Sequence, residues 1–183
     1  MEIGISLGSN MGRRVAHFHA AHERLEHTDG IRIIATSPIY ETEPVDVADD
    51  YAHLPFLNAV IIVESESAIE TIAAQLREIE DAFGRVRGSD KNAPRPLDLD
   101  VLYADHLALD TEKLRLPHPR WNERRFVVQP LADVRPDLVL PGERRTVSEI
   151  LAALPERPTA VLHGEQWTPN GSRAPRKRRL RNR

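Results

Sequence analysis

Ile3-Gly4-Ile5-Ser6-Leu7-Gly8-Ser9-Asn10 alternates without a break between large apolar side chains and small or polar ones. Side chains two apart on a strand share a face, so Ile3, Ile5 and Leu7 point together into a core. The opposite face, Gly4, Ser6 and Gly8, is stripped of bulk, which lets another backbone or a ligand come close.

Working outward, residues 31–40 (IRIIATSPIY) are rich in β-branched side chains, and Pro38 predicts an edge or a bulge there. Phe56 to Val63 (FLNAVIIV) reads as a strand buried on both faces, and Leu97 to Tyr103 as a further strand. Val15, Phe18 and Leu25 predict a helix ending near Asp29-Gly30, with Asn10 as its N-cap. Ile69, Ile72, Leu76, Ile79 and Phe83 recur at helical spacing behind a capping box, Ser67-Ala68-Ile69-Glu70, and Gly84 ends the run. Residues 113–121 are irregular and proline-bearing. A second capping box, Thr146-Val147-Ser148-Glu149, opens a short helix around Ile150, Leu151 and Leu154. The order β-α-β-β-α-β predicts an α+β fold whose antiparallel or mixed sheet carries helices on one face.

Composition narrows the chemistry. With 183 residues, 40% hydrophobic and 29% charged, the chain suits one water-soluble globular domain. The lack of cysteine excludes disulfides, thiolate metal sites and a cysteine nucleophile. No run approaches the ~18 apolar residues of a membrane span, and the N-terminus lacks a signal peptide's basic-then-apolar order. A cytoplasmic protein without a membrane partner is expected. The net charge of −3 hides an asymmetry: residues 173–183 (RAPRKRRLRNR) hold seven Lys or Arg and no acid, leaving the remainder strongly acidic. Such an end reads as a solvated, disordered terminus, and nucleic acid is expected as a partner only through it, if at all.

The stretch that carries chemistry is Arg85-Val86-Arg87-Gly88-Ser89-Asp90-Lys91-Asn92-Ala93-Pro94-Arg95-Pro96-Leu97-Asp98-Leu99-Asp100. Strand parity projects Asp98 and Asp100 together while Leu97, Leu99 and Val101 pack behind them. Two adjacent carboxylates repel unless one is protonated or a cation sits between them. Mg²⁺ favours one or two carboxylates plus substrate phosphates, and the cations Arg85, Arg87, Lys91 and Arg95 just upstream suit a phosphoryl-type transfer. Neither a GxxxxGK[ST] loop nor a strand-borne GxGxxG is present, so side chains and metal must hold the phosphates. Four histidines, His17, His19, His22 and His27, crowd the first helix, where surface or half-buried roles outweigh metal binding. Trp121 and Trp167 are explained by packing as well as by any ligand.

In order along the chain, Leu7-Gly8-Ser9-Asn10, Tyr40-Glu41-Thr42-Glu43-Pro44, Phe56-Leu57-Asn58, Gly84-Arg85-Val86-Arg87, Pro94-Arg95-Pro96-Leu97-Asp98-Leu99-Asp100 and Leu116-Pro117-His118 resemble the 6-hydroxymethyl-7,8-dihydropterin pyrophosphokinase family of folate biosynthesis. The resemblance covers roughly residues 1–155. It implies a ferredoxin-like α+β sandwich, mainly antiparallel, and transfer of pyrophosphate from ATP to the pterin's hydroxymethyl group with release of AMP. It implies Asp98 and Asp100 as ligands of two Mg²⁺ ions, and Arg85 and Arg95 as catalytic groups steadying the transferred group. Arg87, Lys91, Val101, Lys113, Leu114, Pro117, His118 and Arg124 would contact ATP, with Glu80 as a supporting acid. Thr42, Glu43, Val45, Phe56, Asn58 and Phe126 would form the pterin pocket. Residues 1–160 are expected to be the pyrophosphokinase domain of a monomer, and 161–183 an extended tail, basic and disordered from 173.

The sequence departs from the family at Asn92, Ala93 and Pro96, where an aromatic, a glycine and a hydroxyl residue are common. A diverged homologue using another pterin or alcohol acceptor is the alternative this suggests. An RNA-binding α+β module is a third reading, weakened by the acidic body and by aromatics of only 5%.

Overall fold

The computed structural model describes residues 1–45, 49–84 and 94–167. The opening segment forms β1 (Glu2–Ser9), followed by α1 (Arg14–Glu26), β2 (Arg32–Thr36), β3 (Tyr40–Thr42), β4 (Phe56–Glu64), α2 (Ile69–Ala82) and β5 (Asp98–Ala104). Then come a small hairpin, β6 (Leu109–Asp110) and β7 (Arg115–Leu116), the helices α3 (Arg125–Val134) and α4 (Val147–Ala153), and β8 (Ala160–Leu162). Among the described residues the main sheet runs β5-β1-β4-β3-β8, with β2 also on β4 and all pairs antiparallel. Two β-α-β units, opened by β1 and by β4, interlock so that these two strands form the central antiparallel pair, which gives the ferredoxin-like arrangement.

The alternation in β1 builds one core. Ile3, Ile5 and Leu7 join Leu57, Ala59, Ile61 and Val63 of β4 and Leu99 and Val101 of β5 under Phe18, Ala21 and Leu25 of α1 and Ile72, Leu76 and Ile79 of α2. The expectation of helices on one face alone is overturned. Val60 and Ile62 of β4, with Leu102 and Tyr103 of β5, pack on the other face against Val127, Val128 and Leu131 of α3 and Val147 and Ile150 of α4. Leu102 and Tyr103 are successive, and both reach that core because the β1–β5 register slips by one between Gly4 and Ile5. Trp121 is part of the same core.

Local expectations divide by how far away the deciding partner lies. Thr146 and Glu149 form the predicted capping box. The one expected at Ser67 does not form: Ala68 is the N-cap of α2, and the Ser67 N–H donates to Ser65 Oγ instead. Asn10 does not cap α1, which starts behind Arg13. Pro38 separates β2 from β3, and the Ser37 hydroxyl takes over a rung of the ladder by accepting the Val60 N–H at 2.9 Å. Of the tail expected from residue 161, the described part pairs and packs with the domain: β8 lies on β3, and Trp167 stacks on Phe18.

Candidate active site

The second face of the sheet is covered by α3 and α4 only in part. Where they stop, a cleft opens onto the Gly8 end of β1. Gly8 is paired with Asn58 of β4 on one side and with Asp98 of β5 on the other; Ser6 is paired with Asp100. The bare face read from the sequence is therefore a floor, with an amide on one flank and two carboxylates on the other. Phe56, Asn58, Asp98 and Asp100 all line the cleft, as strand parity required.

β5 is an edge strand, so one row of its N–H groups lacks a neighbouring strand. Glu80, buried on α2, fills that gap: its Oε1 accepts the Leu99 N–H at 2.8 Å, between the two aspartates. The segment entering β5 is clasped from β1 and α1. Asn10 Oδ1 accepts the Arg95 N–H at 2.8 Å, Ser9 Oγ donates to the Pro96 carbonyl at 2.6 Å, and His17 Nδ1 lies 3.0 Å from the same oxygen. Asn10 thus anchors a segment 85 residues away rather than the helix beside it. Held this way, Arg95 Nε sits 3.3 Å from Asp98 Oδ2.

With the carboxylates in the lining stand Arg124 and Arg120, which supply positive charge, and His118. His118 Nδ1 accepts the Arg120 N–H at 3.2 Å, which leaves Nε2 to carry the proton in the neutral ring. Burial, and then the Arg124 charge, hold the His118 pKa below its ordinary value, so the ring favours the neutral form. At the other end the cleft is aromatic. Phe56 and Phe126 line it with Thr42, Glu43 and Val45, and the Asn58 amide donates to Thr42 Oγ1 at 2.7 Å. Arg124 lies over the Phe126 ring, 5.6 Å from its centroid, at the join of the two halves.

The family model described as 7,8-dihydro-6-hydroxymethylpterin-pyrophosphokinase (HPPK) matches residues 4–136. The chain belongs to this family. It is thereby one of the ATP-dependent pyrophosphokinases. Among its relatives is a 2-amino-4-hydroxy-6-hydroxymethyldihydropteridine pyrophosphokinase of Methylorubrum extorquens, 41% identical over 151 residues, covering 82% of this chain and 91% of that protein. A protein of the same name from Pseudomonas aeruginosa is 37% identical over 151 residues, covering 82% of this chain and 90% of that protein. A folic acid synthesis protein of Pneumocystis carinii is 40% identical over 137 residues, 75% of this chain but only 18% of that longer protein. The crystal structure of wild-type Plasmodium falciparum HPPK-DHPS with SDX-DHP superposes with a TM-score of 0.61 at 13% identity, over 82% of this chain and 44% of that one. At that identity the likeness concerns the fold alone.

Of the residues singled out in the sequence, the structure gathers Thr42, Glu43, Val45, Phe56, Asn58, Arg95, Asp98, Asp100, His118, Arg124 and Phe126 around one cleft, with Glu80 beneath it. Val101 faces the opposite core, Leu114 packs against that core, and Lys113 is exposed; with Pro117 they stand outside the lining. Arg85, Arg87 and Lys91, and the departures at Asn92 and Ala93, lie outside the described residues. The cleft also brings in Ser6, Leu102, Arg120 and Val127, which sequence reading did not name as site residues. For Ser6, parity with Gly8 was an available signal. Among the described residues no group of three or more His, Cys, Asp or Glu could hold a metal ion, so the histidines of α1 form no such centre. His19 and His22 instead lie beside the Trp167 ring. No described helix is long and apolar enough to cross a membrane.

Proposed function

We propose that this cleft transfers the pyrophosphoryl group of ATP to the hydroxymethyl oxygen of 6-hydroxymethyl-7,8-dihydropterin, releasing AMP. The observation that carries the reading is the register at Gly8, which sets an aromatic, amide-bearing pocket and a two-carboxylate edge on either side of one bare strand. Neighbouring strands lie roughly 5 Å apart, so the two flanks are separated by about two strand spacings, within reach of an acceptor meeting a polyphosphate. In this reading the hydroxymethyl oxygen attacks the β-phosphorus, the bond from that phosphorus to the α,β-bridging oxygen breaks, and AMP leaves with that oxygen. The hydroxyl proton passes to solvent.

The chain's own groups divide the work. Phe56 and Phe126 offer faces for a flat ring, while Asn58, fixed by its bond to Thr42, reads the ring edge; Glu43 and Val45 close the pocket. Arg95, with Arg85, Arg87 and Lys91 from the segment before it, opposes charge building on the transferred phosphates. His118 and Arg124 hold the remaining phosphates, and the Nε2 proton of neutral His118 is a hydrogen-bond donor to them. Glu80 keeps the Asp98–Asp100 strand straight through Leu99.

Asp98 and Asp100, with no third acidic or histidine ligand grouped beside them among the described residues, fit Mg²⁺ better than a closed all-protein cage. Two such ions, held by this pair, would supply charge neutralisation at the phosphate oxygens. The cleft is lined by residues of a single chain, so the reading takes the enzyme as a monomer, working in the cytoplasm.

The test is AMP release from ATP, Mg²⁺ and the hydroxymethyl-dihydropterin. Wild type should turn over, and Asp98→Ala should lose roughly three orders of magnitude in kcat/KM, the scale of several kcal/mol of charge stabilisation. Undiminished turnover by Asp98→Ala would refute the assignment. AMP release only with a different alcohol acceptor would point to a diverged homologue.

A further inference from the structure

β3 carries Thr42 into the cleft, yet it is only three residues long and is held to β4 by three pairs. So short a strand is marginal when paired on one side. Its other side is covered by residues 160–167, beyond the stretch 4–136 matched by the family model. Ala160, Val161 and Leu162 pair with Thr42, Glu41 and Tyr40. Past the end of β8 the covering continues through side chains. Gln166 imitates a strand residue: its Oε1 accepts the Ile39 N–H at 2.7 Å, and its Nε2 donates to the Ile39 carbonyl at 3.1 Å. The His163 N–H donates to that same carbonyl at 2.9 Å, and Trp167 Nε1 donates to the Ser37 carbonyl at 2.6 Å. The Trp167 ring then lies against α1, stacked on Phe18 at 5.8 Å and tilted to His22 at 5.4 Å.

We infer that residues 160–167 are a positioning strap for the acceptor side of the reaction: they hold β3 in register so that Thr42 meets Asn58 and the pterin pocket keeps its shape. This rests on the proposed reading of the cleft. The strap works through Thr42 and touches no reacting atom. If β3 drifts, the buried Asn58 amide loses Thr42 Oγ1 and its donor is left without that partner. The carboxylate edge is shielded from such drift, because β4 and β1 stand between β3 and β5. The consequence is one-sided: acceptor binding depends on the strap, and nucleotide binding does not.

Full-length Gln166→Ala removes both Ile39 bonds and the Nε2 bond to the His163 carbonyl within the strap, and leaves the β8 pairing and the Trp167 contacts. Its KM for the pterin should rise roughly tenfold, the effect of losing about one such pair of bonds. Its KM for ATP and its kcat should stay within about twofold of wild type. A pterin KM that does not move, or both KM values and kcat changing together, overturns the strap. Should Gln166→Ala fail to fold, Trp167→Phe keeps the stack on Phe18 and loses only the Ser37 bond; it should show the same one-sided rise, roughly threefold. Amide hydrogen exchange separates this inference from the reaction itself. Exchange at Glu41 and Thr42 should speed up in Gln166→Ala while Leu99 in β5 is unchanged. Equal exchange at Glu41 and Thr42 sinks the strap even where AMP is released. Wild type releasing no AMP counts against the reading of the cleft, whatever exchange shows.

Discussion

Gly4 and Gly8 lie on the same face of the same strand and do opposite things. A Cβ at Gly4 would sit 2.3 Å from Tyr103 Cε1, in a core where Tyr103 is 1% exposed. A Cβ at Gly8 would meet only Asp98 Cβ at 3.6 Å and Asn58 Oδ1 at 3.8 Å, ordinary contacts at the floor of the cleft. The carboxylates beside them contrast likewise. Near Gly4, Glu2 is closed off by Arg135, at 2.7 Å from Nη2, and by the Tyr103 hydroxyl, also at 2.7 Å. Near Gly8, Asp98 and Asp100 line an open cleft. One alternating strand thus builds a core at one end and a site at the other, and what differs is the neighbour placed over the bare positions.

That contrast can be broken by adding one methyl group at either end. Gly4→Ala should cost about 3 kcal/mol, because the Tyr103 ring is fully packed and its hydroxyl is committed to Glu2. For a chain of this size, thermal unfolding should drop by roughly 6–12 °C, with turnover per folded molecule preserved. A shift of under about 2 °C would mean that the ring has room to move. Gly8→Ala should behave in the reverse sense. Its backbone needs no unusual conformation, so stability should change by less than about 1 kcal/mol. The methyl group would stand between Asn58 and Asp98, where the proposed reaction brings acceptor and phosphates together, and AMP release should fall roughly tenfold, a 1.4 kcal/mol effect. Full activity in Gly8→Ala would show that the reacting groups pass elsewhere.

Much of this was legible in the sequence because it depends on strand parity alone. The packing of Ile3, Ile5 and Leu7, the shared face of Asp98 and Asp100, and the pairing of Phe56 with Asn58 all follow from a period of two. What was not legible depends on partners distant in sequence. Asn10 looks like a helix cap, but its partner is Arg95. Gln166 and Trp167 carry no local sign that they complete β3. Pro130 lies inside α3, where proline is disfavoured, and the β-α-β-β-α-β order from which helices on one face were expected carries no sign of that helix. The bulge that brings both Leu102 and Tyr103 to that helix also breaks the parity rule on which the rest of the reading relied.

The smallest effect concerns the closed carboxylate. The Arg135 hydrogen bond, aided by the Tyr103 hydroxyl and opposed by burial, holds the Glu2 pKa below its ordinary 4.5. A carboxyl depressed on folding binds its proton more readily in the unfolded chain, so it adds stability above about pH 4.5 and loses it as pH falls through the folded value. Glu2→Gln removes that pH-dependent share while keeping the shape of the side chain. At pH 7 the variant should be less stable than wild type by about 1 kcal/mol, since the pair is partly exposed and screened. The gap should narrow as pH drops below 4.5, because wild-type Glu2 is then progressively neutral as well. AMP release at pH 7 should be unaltered, Glu2 lying at the far end of β1 from Gly8. Urea unfolding at several pH values measures the gap, and a gap that stays constant into the acid range would show that the Glu2 charge adds nothing to the core that Gly4 and Tyr103 share.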